Sequence, residues 1–445
     1  MRFTDTAVLS LAGGAMLSGT QPLIARSHPT AMMARPLKEV AVGVIGTGLV
    51  GGEFLQQIEA TRGMLEAQGL DVTVASISRT KPDADGERKP WMLCDSEEGC
   101  TLDDVESAIS DPEAGEAGDF IKMASFLKEC APHAVIVDAT ASEVVSDYYA
   151  QWLASGVHVV TPNKKAGSGD LVRWKACVDA MAETGAQWGE MCNACTYTHT
   201  HAPICMRTHP HAPTCSVYTP TYTHMHARTL GDETTVGAGL PILNVLRTDL
   251  IATGDKVKTI EGIFSGTLSY IFNTYEPGMA FSDVITDAKE KGFTEPDPRD
   301  DLSGTDVARK VTILARQCGI EVALEDVPVE SLVPSALQDW APAEGAVLAD
   351  AFIAEMKAYD EDKAALIAKA DAAGEVLRFV GVVDVEAKTA RVELKAYPKT
   401  HPFAGTQCPP LTHHLYLYPP FVLVPTICIR HVHTYHLYPP LTPSI

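Results

Sequence analysis

Short apolar runs, each followed by apolar residues at helical spacing, dominate the first half of the chain. Residues 40–45 form a continuous apolar run typical of a buried parallel strand, and a helical pattern through Phe54, Leu55 and Ile58 follows it. Further strands are predicted at residues 72–78, 134–138 and 156–161, with a helix at 143–154. Because strands alternate with helices, the pattern predicts a doubly wound α/β domain.

The second half of the chain begins with a glycine-rich block at residues 231–241. Strands are predicted at residues 259–264, 379–385 and 390–396, and a turn at 265–267 leads into a helix. Residues 303–317 have a strong helical pattern, with apolar residues on one stripe and Gly319 as the stop. We therefore expect a second domain of mixed helices and strands.

Residues 1–37 do not have the pattern of a domain. A short apolar run at residues 7–17 precedes Arg26 and Arg35 in a segment rich in Ser and Thr, which fits a signal or transit peptide. A disordered leader is the alternative, and Asp5 weakens the targeting interpretation. If the leader is a transit peptide, we expect a plastid or another organelle rather than secretion; otherwise we expect the cytoplasm.

Two segments, residues 191–228 and 406–445, differ from the rest of the chain. They hold 11 of the 15 His and six of the 11 Cys, but no Asp or Glu. Thr and His alternate within the first segment, as the translation of a CA dinucleotide repeat would give, so we interpret both segments as translated non-coding sequence. A zinc module is the alternative, because Cys192 and Cys195 have C-x-x-C spacing, but no second pair follows at finger spacing.

Charge and composition reduce the number of function classes that fit this chain. The net charge of −22 argues against nucleic-acid binding, because proteins of that class collect Lys and Arg. No apolar run reaches the length of about 18 residues that a membrane-spanning helix needs. The Cys outside the two odd segments show no disulfide or metal spacing, which favours a reducing compartment; they are Cys94, Cys100, Cys130, Cys177 and Cys318.

We divide the chain into a leader (1–37), a nucleotide-binding domain (38–190), an insertion (191–228), a second domain (229–405) and a tail (406–445).

The turn after the first strand carries a dinucleotide-binding motif. It consists of Gly46, Thr47, Gly48, Leu49, Val50 and Gly51. Gly46 is expected to need a positive φ, Gly48 lets backbone amides approach a pyrophosphate, and Gly51 lets the helix pack closely. The helix N-terminus would stabilise the anion. Because the motif lies between a strand and a helix, we predict dinucleotide binding; a tight turn without a ligand is the alternative.

Three other strand ends supply candidate cofactor contacts. NAD sites place an acidic residue at the end of the second strand, whereas this chain has Ser78 and Arg79 there. Arg79, helped by Ser78, would pair with a 2′-phosphate, so NADP is favoured and NAD stays open; a solvated basic turn is the alternative. Ligands bind at the carboxyl ends of such strands, so Thr140 is a candidate cofactor contact. Lys164 would reach the nicotinamide side or the substrate, unless it is simply solvated.

Asp306 and Lys310 lie four residues apart on the predicted helix and therefore share a face. An exposed ion pair, worth on the order of a few tenths of a kcal/mol, is the alternative. In a cleft, however, the carboxylate can hold a substrate ammonium while the lysine donates a proton to a carbonyl oxygen. Glu295, fixed by Pro296, adds a second carboxylate.

Residues 288–310 resemble the signature of the homoserine dehydrogenase family at every fixed position, A-x3-G followed by D-P-x2-D-L-x-G-x-D-x3-K. Residues 161–165, 233–241, 264–273 and 397–404 are also similar to that family. The resemblance implies an α/β fold with a doubly wound (Rossmann) dinucleotide-binding domain and an α+β substrate and dimerisation domain. Because the chain starts with the nucleotide-binding domain, we expect a monofunctional enzyme without the aspartokinase half of bifunctional relatives.

The resemblance also implies an activity, the reversible NAD(P)H-dependent reduction of L-aspartate 4-semialdehyde to L-homoserine in threonine, methionine and isoleucine biosynthesis. It implies Lys310 as proton donor, Glu295 and Asp306 as holders of the substrate amino group, Thr267 near the substrate, and Gly292 and Lys164 near the cofactor. It further implies a monovalent cation, held by the Glu233 side chain and the carbonyls of Val236, Ala238 and Leu240. Because all of these ligands are oxygens, sodium is the expected ion. A plain glycine-rich chain reversal is the alternative for that loop. We expect a homodimer through the second domain.

Two departures from the family pattern weaken these expectations. The insertion separates the nucleotide-binding domain from the cation loop, and the tail replaces a glycine-rich segment that completes the nucleotide-binding domain in the family. We therefore hypothesise that the chain lacks part of its cofactor site. The alternatives are a catalytically impaired dinucleotide-binding regulatory protein, against which the intact Glu295, Asp306 and Lys310 argue, and a zinc-dependent interaction module.

Overall fold

A computed structural model describes residues 37–82, 88–95, 98–109, 115–190, 235–237, 242–343, 345–405 and 427–432. Residues 1–36 of the leader, the whole insertion with its predicted zinc ligands, and most of the tail lie outside the described residues. The same holds for Glu233, Ala238 and Leu240 of the predicted cation loop.

The first domain is built on one sheet. Its strands are β1 (Lys38–Ile45), β2 (Leu70–Pro82), β3 (Arg88–Cys94), β4 (Glu116–Ala117), β5 (His133–Asp138), β6 (His158–Thr161) and β7 (Trp188–Glu190). Within the described residues the order is β4-β3-β2-β1-β5-β6-β7, in which β2, β1, β5, β6 and β7 run parallel and β3 and β4 are antiparallel. The topology switches between β1 and β5, and the carboxyl ends of such strands are where doubly wound sheets bind ligands.

Helices cover both faces of this sheet, which explains the unbroken apolar run of β1. The helices are α1 (Leu49–Ala67), α2 (Leu102–Ile109), α3 (Phe120–Cys130), α4 (Glu143–Ser146), α5 (Tyr149–Ala154), α6 (Lys165–Ser168) and α7 (Leu171–Thr184). Val42 and Val44 pack in one apolar cluster with Leu55 of α1, whereas Ala41 and Ile45 pack in another with Leu127 of α3. A strand buried on both faces has no polar side, so it does not alternate.

The first domain differs from the sequence prediction in its boundaries and edge. Strand β2 ends at Pro82 rather than at residue 78, because it continues into an antiparallel pair with β3. The helix predicted over residues 143–154 is two short helices. The turn between them is tightened by backbone bonds from Asp147 to Val144 and from Tyr148 to Val145.

The second domain packs helices against an antiparallel sheet. Its helices are α8 (Ile242–Asn244, continued by the π-helical Val245–Ile251), α9 (Gly266–Thr274), α10 (Phe281–Glu290), α11 (Pro298–Leu302), α12 (Thr305–Gln317), α13 (Ser335–Gln338), α14 (Leu348–Met356) and α15 (Asp360–Ala372). The strands are β8 (Lys256–Gly262), β9 (Glu375–Asp384), β10 (Thr389–Pro398) and β11 (Ile427–Val432), in the order β10-β9-β8-β11. The predicted fold class, a parallel-sheet nucleotide-binding domain plus an α+β domain, is confirmed.

Helix α12 lies very close to the second sheet. A Cβ added at Gly381 of β9 would lie 2.3 Å from Val311 Cγ2 of α12, so the glycine permits the approach. Val307, Val311 and Leu314, the predicted apolar stripe, are buried there. The opposite stripe of α12 is therefore free to carry polar side chains toward the first domain.

Part of the tail adds an unexpected element. Residues 427–432 form β11, which pairs antiparallel with β8. The sequence analysis predicted no strand there, although Ile427, Cys428 and Ile429 make a short run with strand propensity. Strand β8 begins at Lys256, three residues before the start of the strand predicted at 259–264.

None of the helices in the described part of the chain has both the length and the apolar character that a membrane span requires.

Candidate active site

The glycine-rich turn between β1 and α1 leaves backbone amides open at the carboxyl edge of the sheet. Gly46 has a φ of 90°, and a Cβ added at Gly51 would lie 1.9 Å from the Gly46 carbonyl oxygen. A Cβ added at Gly48 would meet no atom within 4 Å. Helix α1 has no acidic residue in its first turn, so its N-terminal partial charge is available to a phosphate. Leu49 begins the helix and is largely exposed.

A buried polar network lies behind this turn and joins the ends of β5 and β6. The carboxylate of Asp138 accepts hydrogen bonds from Thr140 Oγ1 at 2.7 Å and from the Tyr149 hydroxyl at 2.7 Å. It also accepts one from Asn163 Nδ2 at 2.9 Å. Burial raises the pKa of Asp138, and these three donors act in the opposite direction. Asn163 Oδ1 in turn accepts from the backbone amide of Lys165 at 3.0 Å, so the network fixes the turn after β6.

Thr140 therefore lies at the glycine turn, as a cofactor contact would require. Its Cγ2 is 2.8 Å from the position of a Cβ added at Gly46, and its hydroxyl is committed to Asp138. The methyl group of Thr140 and the backbone carbonyl of Ala139, rather than the Thr140 hydroxyl, face the turn. The structure thus brings together the ends of β1 and β5, which are 93 residues apart at the paired Ile45 and Asp138.

Arg79 lies beside the same turn. The carbonyl of Ser78 accepts a hydrogen bond from the Gly46 amide at 2.8 Å, and Arg79 is the next residue. Ser78 itself is buried, and its hydroxyl donates to the Trp91 carbonyl at 2.9 Å. The predicted help of Ser78 to a 2′-phosphate is therefore not supported, because the hydroxyl is directed into the sheet toward β3.

Helix α12 brings the predicted acid–base pair to the first domain. Lys310 Nζ lies 2.7 Å from Asp306 Oδ2 and donates a second hydrogen bond to the Phe264 carbonyl at 2.7 Å. Lys164 Nζ lies 3.1 Å from the other oxygen, Asp306 Oδ1. Residues that are more than a hundred positions apart in the sequence thus form one cluster, which we call the Lys164–Asp306–Lys310 cluster.

The electrostatics of this cluster suit proton transfer. The Lys310 side chain is only 16% exposed, so the lysine is not the solvated lysine of an exposed ion pair, while Asp306 is 48% exposed and open to a ligand. Burial lowers the pKa of Lys310, Asp306 opposes this, and the charge of Lys164 lowers it further. Burial alone would raise the pKa of Asp306, but Lys310 and Lys164 hold it below its usual range. An ammonium with a lowered pKa releases its proton more readily than an ordinary lysine does.

A second cluster lies at the start of α9, next to Phe264. Thr267 Oγ1 donates to the Phe293 carbonyl at 2.6 Å. The backbone amide of Glu295 donates to Asp301 Oδ2 at 2.8 Å, while the Glu295 side chain is exposed. These bonds hold the loop after α10 against the N-terminal end of α9, so the two clusters are neighbours through Phe264.

Asp301 is absent from the residues predicted as functional, although it belongs to the same signature. Burial raises its pKa, while the hydrogen bond from the Glu295 amide opposes the shift. Asp297, Asp300 and Asp301 all lie between Glu295 and Asp306, so the sequence alone does not single out Asp301. Its contacts show that it orders the loop that presents Glu295.

Gly292 has a backbone role of its own. It has a φ of 73°, its amide donates to the Lys289 carbonyl, and the Phe293 amide donates to the Ala288 carbonyl. This is a Schellman motif, which ends α10 with a residue in the left-handed region. The glycine is thus explained by helix termination, whether or not a cofactor approaches it.

Of the predicted cation ligands, only Val236 lies within the described residues. Its side chain is buried in a turn at residues 235–237. Thr235 is buried beside it, and in the described part of the chain its hydroxyl oxygen has no hydrogen-bond partner. Across the described ranges, no group of three or more His, Cys, Asp or Glu is placed to hold a metal ion.

Two family models match the chain, one on each domain. A model described as homoserine dehydrogenase, NAD binding domain, matches residues 46–189, and one described as homoserine dehydrogenase matches residues 241–409. The homoserine dehydrogenase of Schizosaccharomyces pombe is 35% identical over 84% of this chain and 86% of its own length. The chain belongs to the homoserine dehydrogenase family. Homoserine dehydrogenases are NAD(P)-dependent oxidoreductases that act on a CH–OH group.

Other relatives of this homoserine dehydrogenase family member include longer proteins. Bifunctional aspartokinase/homoserine dehydrogenase 1, chloroplastic, of Arabidopsis thaliana is 42% identical over 82% of this chain. The chain spans about a third of the length of that relative, 34%. Among solved structures, a Candida auris protein of unknown function has a TM-score of 0.66 at 30% identity, covering 88% of this chain and 90% of that one. Staphylococcus aureus homoserine dehydrogenase shares the fold, with a TM-score of 0.50 at 19% identity over 83% of this chain and 66% of that one.

Proposed function

We propose that this protein catalyses the reversible reduction of L-aspartate 4-semialdehyde to L-homoserine with NAD(P)H. The hydrogen bonding of Lys310 carries the proposal. An ammonium has three N–H donors, and two of those of Lys310 are taken by Asp306 and by the Phe264 carbonyl. The third donor is available to an aldehyde oxygen.

The proton and the hydride balance in this scheme. The glycine turn of Gly46, Gly48 and Gly51 would hold the nicotinamide cofactor, which would supply a hydride for the aldehyde carbon. Lys310 donates its proton to the aldehyde oxygen as negative charge develops there, which gives the alcohol. Burial and the charge of Lys164 favour the resulting neutral amine, which regains a proton from solvent. In the reverse direction the same amine accepts the hydroxyl proton of homoserine.

The carboxylates fit the substrate ammonium. Asp306 is half exposed, so lone pairs remain on its oxygens beyond those that Lys310 and Lys164 use. Glu295 is exposed, and its loop is ordered by Asp301. We assign the substrate amino group to Asp306 and Glu295, with Thr267 lining the same pocket wall.

A turnover assay tests the function directly. We expect the full chain to oxidise NADPH only when L-aspartate 4-semialdehyde is added. A catalytically impaired dinucleotide-binding regulatory protein would bind NADPH without turnover, and that result would contradict our proposal.

Glu295→Gln tests the assignment of the substrate amino group. We expect KM for the semialdehyde to rise about tenfold with little change in kcat, because a charge-assisted hydrogen bond contributes about 1.5–3 kcal/mol to binding. Glu290→Gln, at an exposed position on α10, is the matched control and should leave both constants unchanged. An unchanged KM for Glu295→Gln would refute this role.

The preference for NADP over NAD rests on Arg79. The residue follows Ser78, whose carbonyl binds the Gly46 amide, so Arg79 stands where an acid would hold the ribose of NAD. We expect Arg79→Gln to lower kcat/KM for NADPH by about 10–100-fold and to spare NADH, since one charge-assisted contact is lost. Arg62→Gln, an exposed arginine on α1, is the control. Equal losses with both cofactors would contradict the preference.

A monovalent cation, sodium, is proposed at the loop of Glu233, Val236, Ala238 and Leu240. The buried Thr235 oxygen beside Val236, which has no hydrogen-bond partner among the described residues, suits a weakly charged oxygen site. Bound there, the ion would hold the loop by its positive charge. A thermal unfolding midpoint that is the same in sodium chloride and in choline chloride would contradict this.

Assembly and location follow from the family. We propose that the protein forms a homodimer through the second domain. A full chain that stays monomeric in sedimentation equilibrium would contradict this proposal. The leader resembles a transit peptide, and the Arabidopsis relative is named chloroplastic, so we propose delivery to a plastid or another organelle. Residues 1–37 fused to a fluorescent protein test this; a cytoplasmic signal would refute it.

A further inference from the structure

Helix α12 makes polar contacts with the first domain beyond the Lys164–Asp306–Lys310 cluster. Arg309 Nη1 lies 3.4 Å from Ser168 Oγ. Farther along the helix, Arg316 Nη1 donates to the Gly167 carbonyl and Nη2 to the Gly169 carbonyl, each at 2.8 Å. One stripe of α12 thus follows the turn formed by residues 164–169, which we call the 164–169 turn.

Hydrogen bonds tie the 164–169 turn to Lys164. The Lys164 carbonyl accepts hydrogen bonds from the Ser168 amide at 2.9 Å and from Ser168 Oγ at 2.8 Å. The Gly169 amide donates to the Lys165 carbonyl at 2.8 Å. The carbonyls that Arg316 binds therefore belong to the same helical turn that begins at Lys164.

Arg316 is an unusual choice for a position that only needs packing. It is 3% exposed, and among the described residues no carboxylate forms an ion pair with it. Burial lowers its pKa to about 10, with Asp170 and Glu325 opposing the shift and Arg173 adding to it. A buried charge without a close counter-charge is costly, so packing alone does not account for an arginine at this position.

What a guanidinium offers is a rigid fork of donors. Besides the two glycine carbonyls of the first domain, Arg316 binds the Val322 carbonyl of the second domain through Nη2 at 3.0 Å and Nε at 3.2 Å. Its Cζ lies 5.4 Å from the ring centroid of Trp174 on α7. One planar group thus fixes carbonyls of both domains at a set separation, which neither Lys nor an apolar residue can do.

We propose that Arg316 is a positioning residue of the active site, which sets the distance between Lys164 and the Asp306–Lys310 pair by holding the 164–169 turn against α12. This rests on the proposed function, because it takes the Lys164–Asp306–Lys310 cluster as the reacting groups. A displacement of about 1 Å in such a cluster can cost on the order of 10²-fold in rate.

Arg378 provides a matched control. It is 4% exposed, and it binds the carbonyls of Phe403, Phe272, Leu377 and Ala404 and the side chain of Asn273, all in the second domain. Arg316→Met and Arg378→Met thus remove equally buried guanidinium groups. Only the first removes contacts with the 164–169 turn.

A double-mutant cycle on kcat for aldehyde reduction separates positioning from stability. We expect Arg316→Met to lower kcat by about 10–100-fold in the wild-type background, but by less than about threefold in a Lys164→Met background, because it acts through Lys164. Arg378→Met should lower the unfolding midpoint and change kcat by the same small factor in both backgrounds. Equal losses for Arg316→Met in the two backgrounds would overturn the proposal.

Hydrogen exchange of the full chain gives a readout that does not depend on activity. We expect the amides of Ser168 and Gly169 to exchange at least about tenfold faster in Arg316→Met and to be unchanged in Arg378→Met. Arg316→Lys, which keeps the charge but not the fork, should retain the unfolding midpoint and still lose kcat, so it replaces Arg316→Met if that variant does not fold. If the exchange rates of Ser168 and Gly169 are unchanged in Arg316→Met, Arg316 does not hold the 164–169 turn and the proposal is wrong. If exchange changes as expected but the wild-type protein has no activity, only the proposed function is wrong.

Discussion

Lys310→Met is expected to lower kcat for aldehyde reduction by on the order of 10³-fold, because a positioned general acid contributes about 10²–10⁴-fold. The ammonium is mostly buried and is oriented by Asp306 and by the Phe264 carbonyl, whereas Lys164 contacts the other oxygen of Asp306 from the first domain. Methionine keeps the length and apolar stem, which preserves packing along α12. Steady-state NADPH oxidation measures the loss.

Lys399→Met is the control for this change. Lys399 is an exposed lysine that pairs with Asp371 in the same domain, so its removal should leave kcat and KM within about twofold of the wild type, as expected of surface ion pairs. A Lys310→Met enzyme with wild-type turnover would show that Lys310 is not the proton donor.

The pH dependence of kcat follows from the same lysine. Only the ammonium donates, so turnover in the direction of reduction should fall as pH rises through the Lys310 pKa, which lies below the ordinary value of 10.5. Asp306 raises that pKa, so Asp306→Asn should move the falling limb to lower pH as well as weaken substrate binding. If kcat falls at the same pH in Asp306→Asn as in the wild type, this account of the cluster is contradicted.

Gly51→Ala is expected to abolish tight cofactor binding. The added Cβ would lie 1.9 Å from the Gly46 carbonyl oxygen and 3.2 Å from the Ala139 Cβ, so the turn has to open or α1 has to shift. Such overpacking typically costs about 1–3 kcal/mol or more, and the same shift displaces the amides that face the phosphates. We expect Kd for NADPH to rise at least about tenfold, since about 1.4 kcal/mol corresponds to one factor of ten.

Gly52→Ala is the matched control one residue farther along α1. A Cβ there would meet the Thr47 carbonyl oxygen at 3.7 Å and Leu102 Cδ2 at 4.0 Å, which are ordinary contacts. Because alanine is favoured over glycine in a helix by about 0.8–1 kcal/mol, this variant should be as stable as the wild type or more stable. Titration of NADPH by fluorescence and thermal unfolding measure both variants; equal affinity for both would show that the close approach at Gly51 does not matter.

The fold was largely predictable because its signal is local. The apolar run of β1, the glycine turn and the stripe on α12 each depend on neighbours within a few positions, and all three lie where the pattern placed them. The antiparallel strands β3 and β4 were not predicted. They join the sheet by pairing, β3 with β2 and β4 with β3, and not through a hydrophobic pattern of their own. The strand β11 was not predicted because its pairing with β8 joins distant parts of the chain, whereas the split between α4 and α5 depends on local turn bonds at residues 144–148.

The order of residues along the chain sets which chemical groups are available. It placed a carboxylate and an amine four residues apart on α12, a glycine turn between a strand and a helix, and a lysine at the end of a parallel strand. These are properties of periodicity and spacing, which hold wherever the elements pack.

How these groups act on each other depends on the packing of the folded chain. The packing of α12 against the 164–169 turn brings Lys164 to 3.1 Å from Asp306, buries Lys310 and lowers its pKa. It also gives Asp301 and Arg316 roles that their spacing does not reveal. The physical reason is that burial and Coulomb interactions depend on distances through space, and these are fixed by the packing of two domains rather than by the order of residues along the chain.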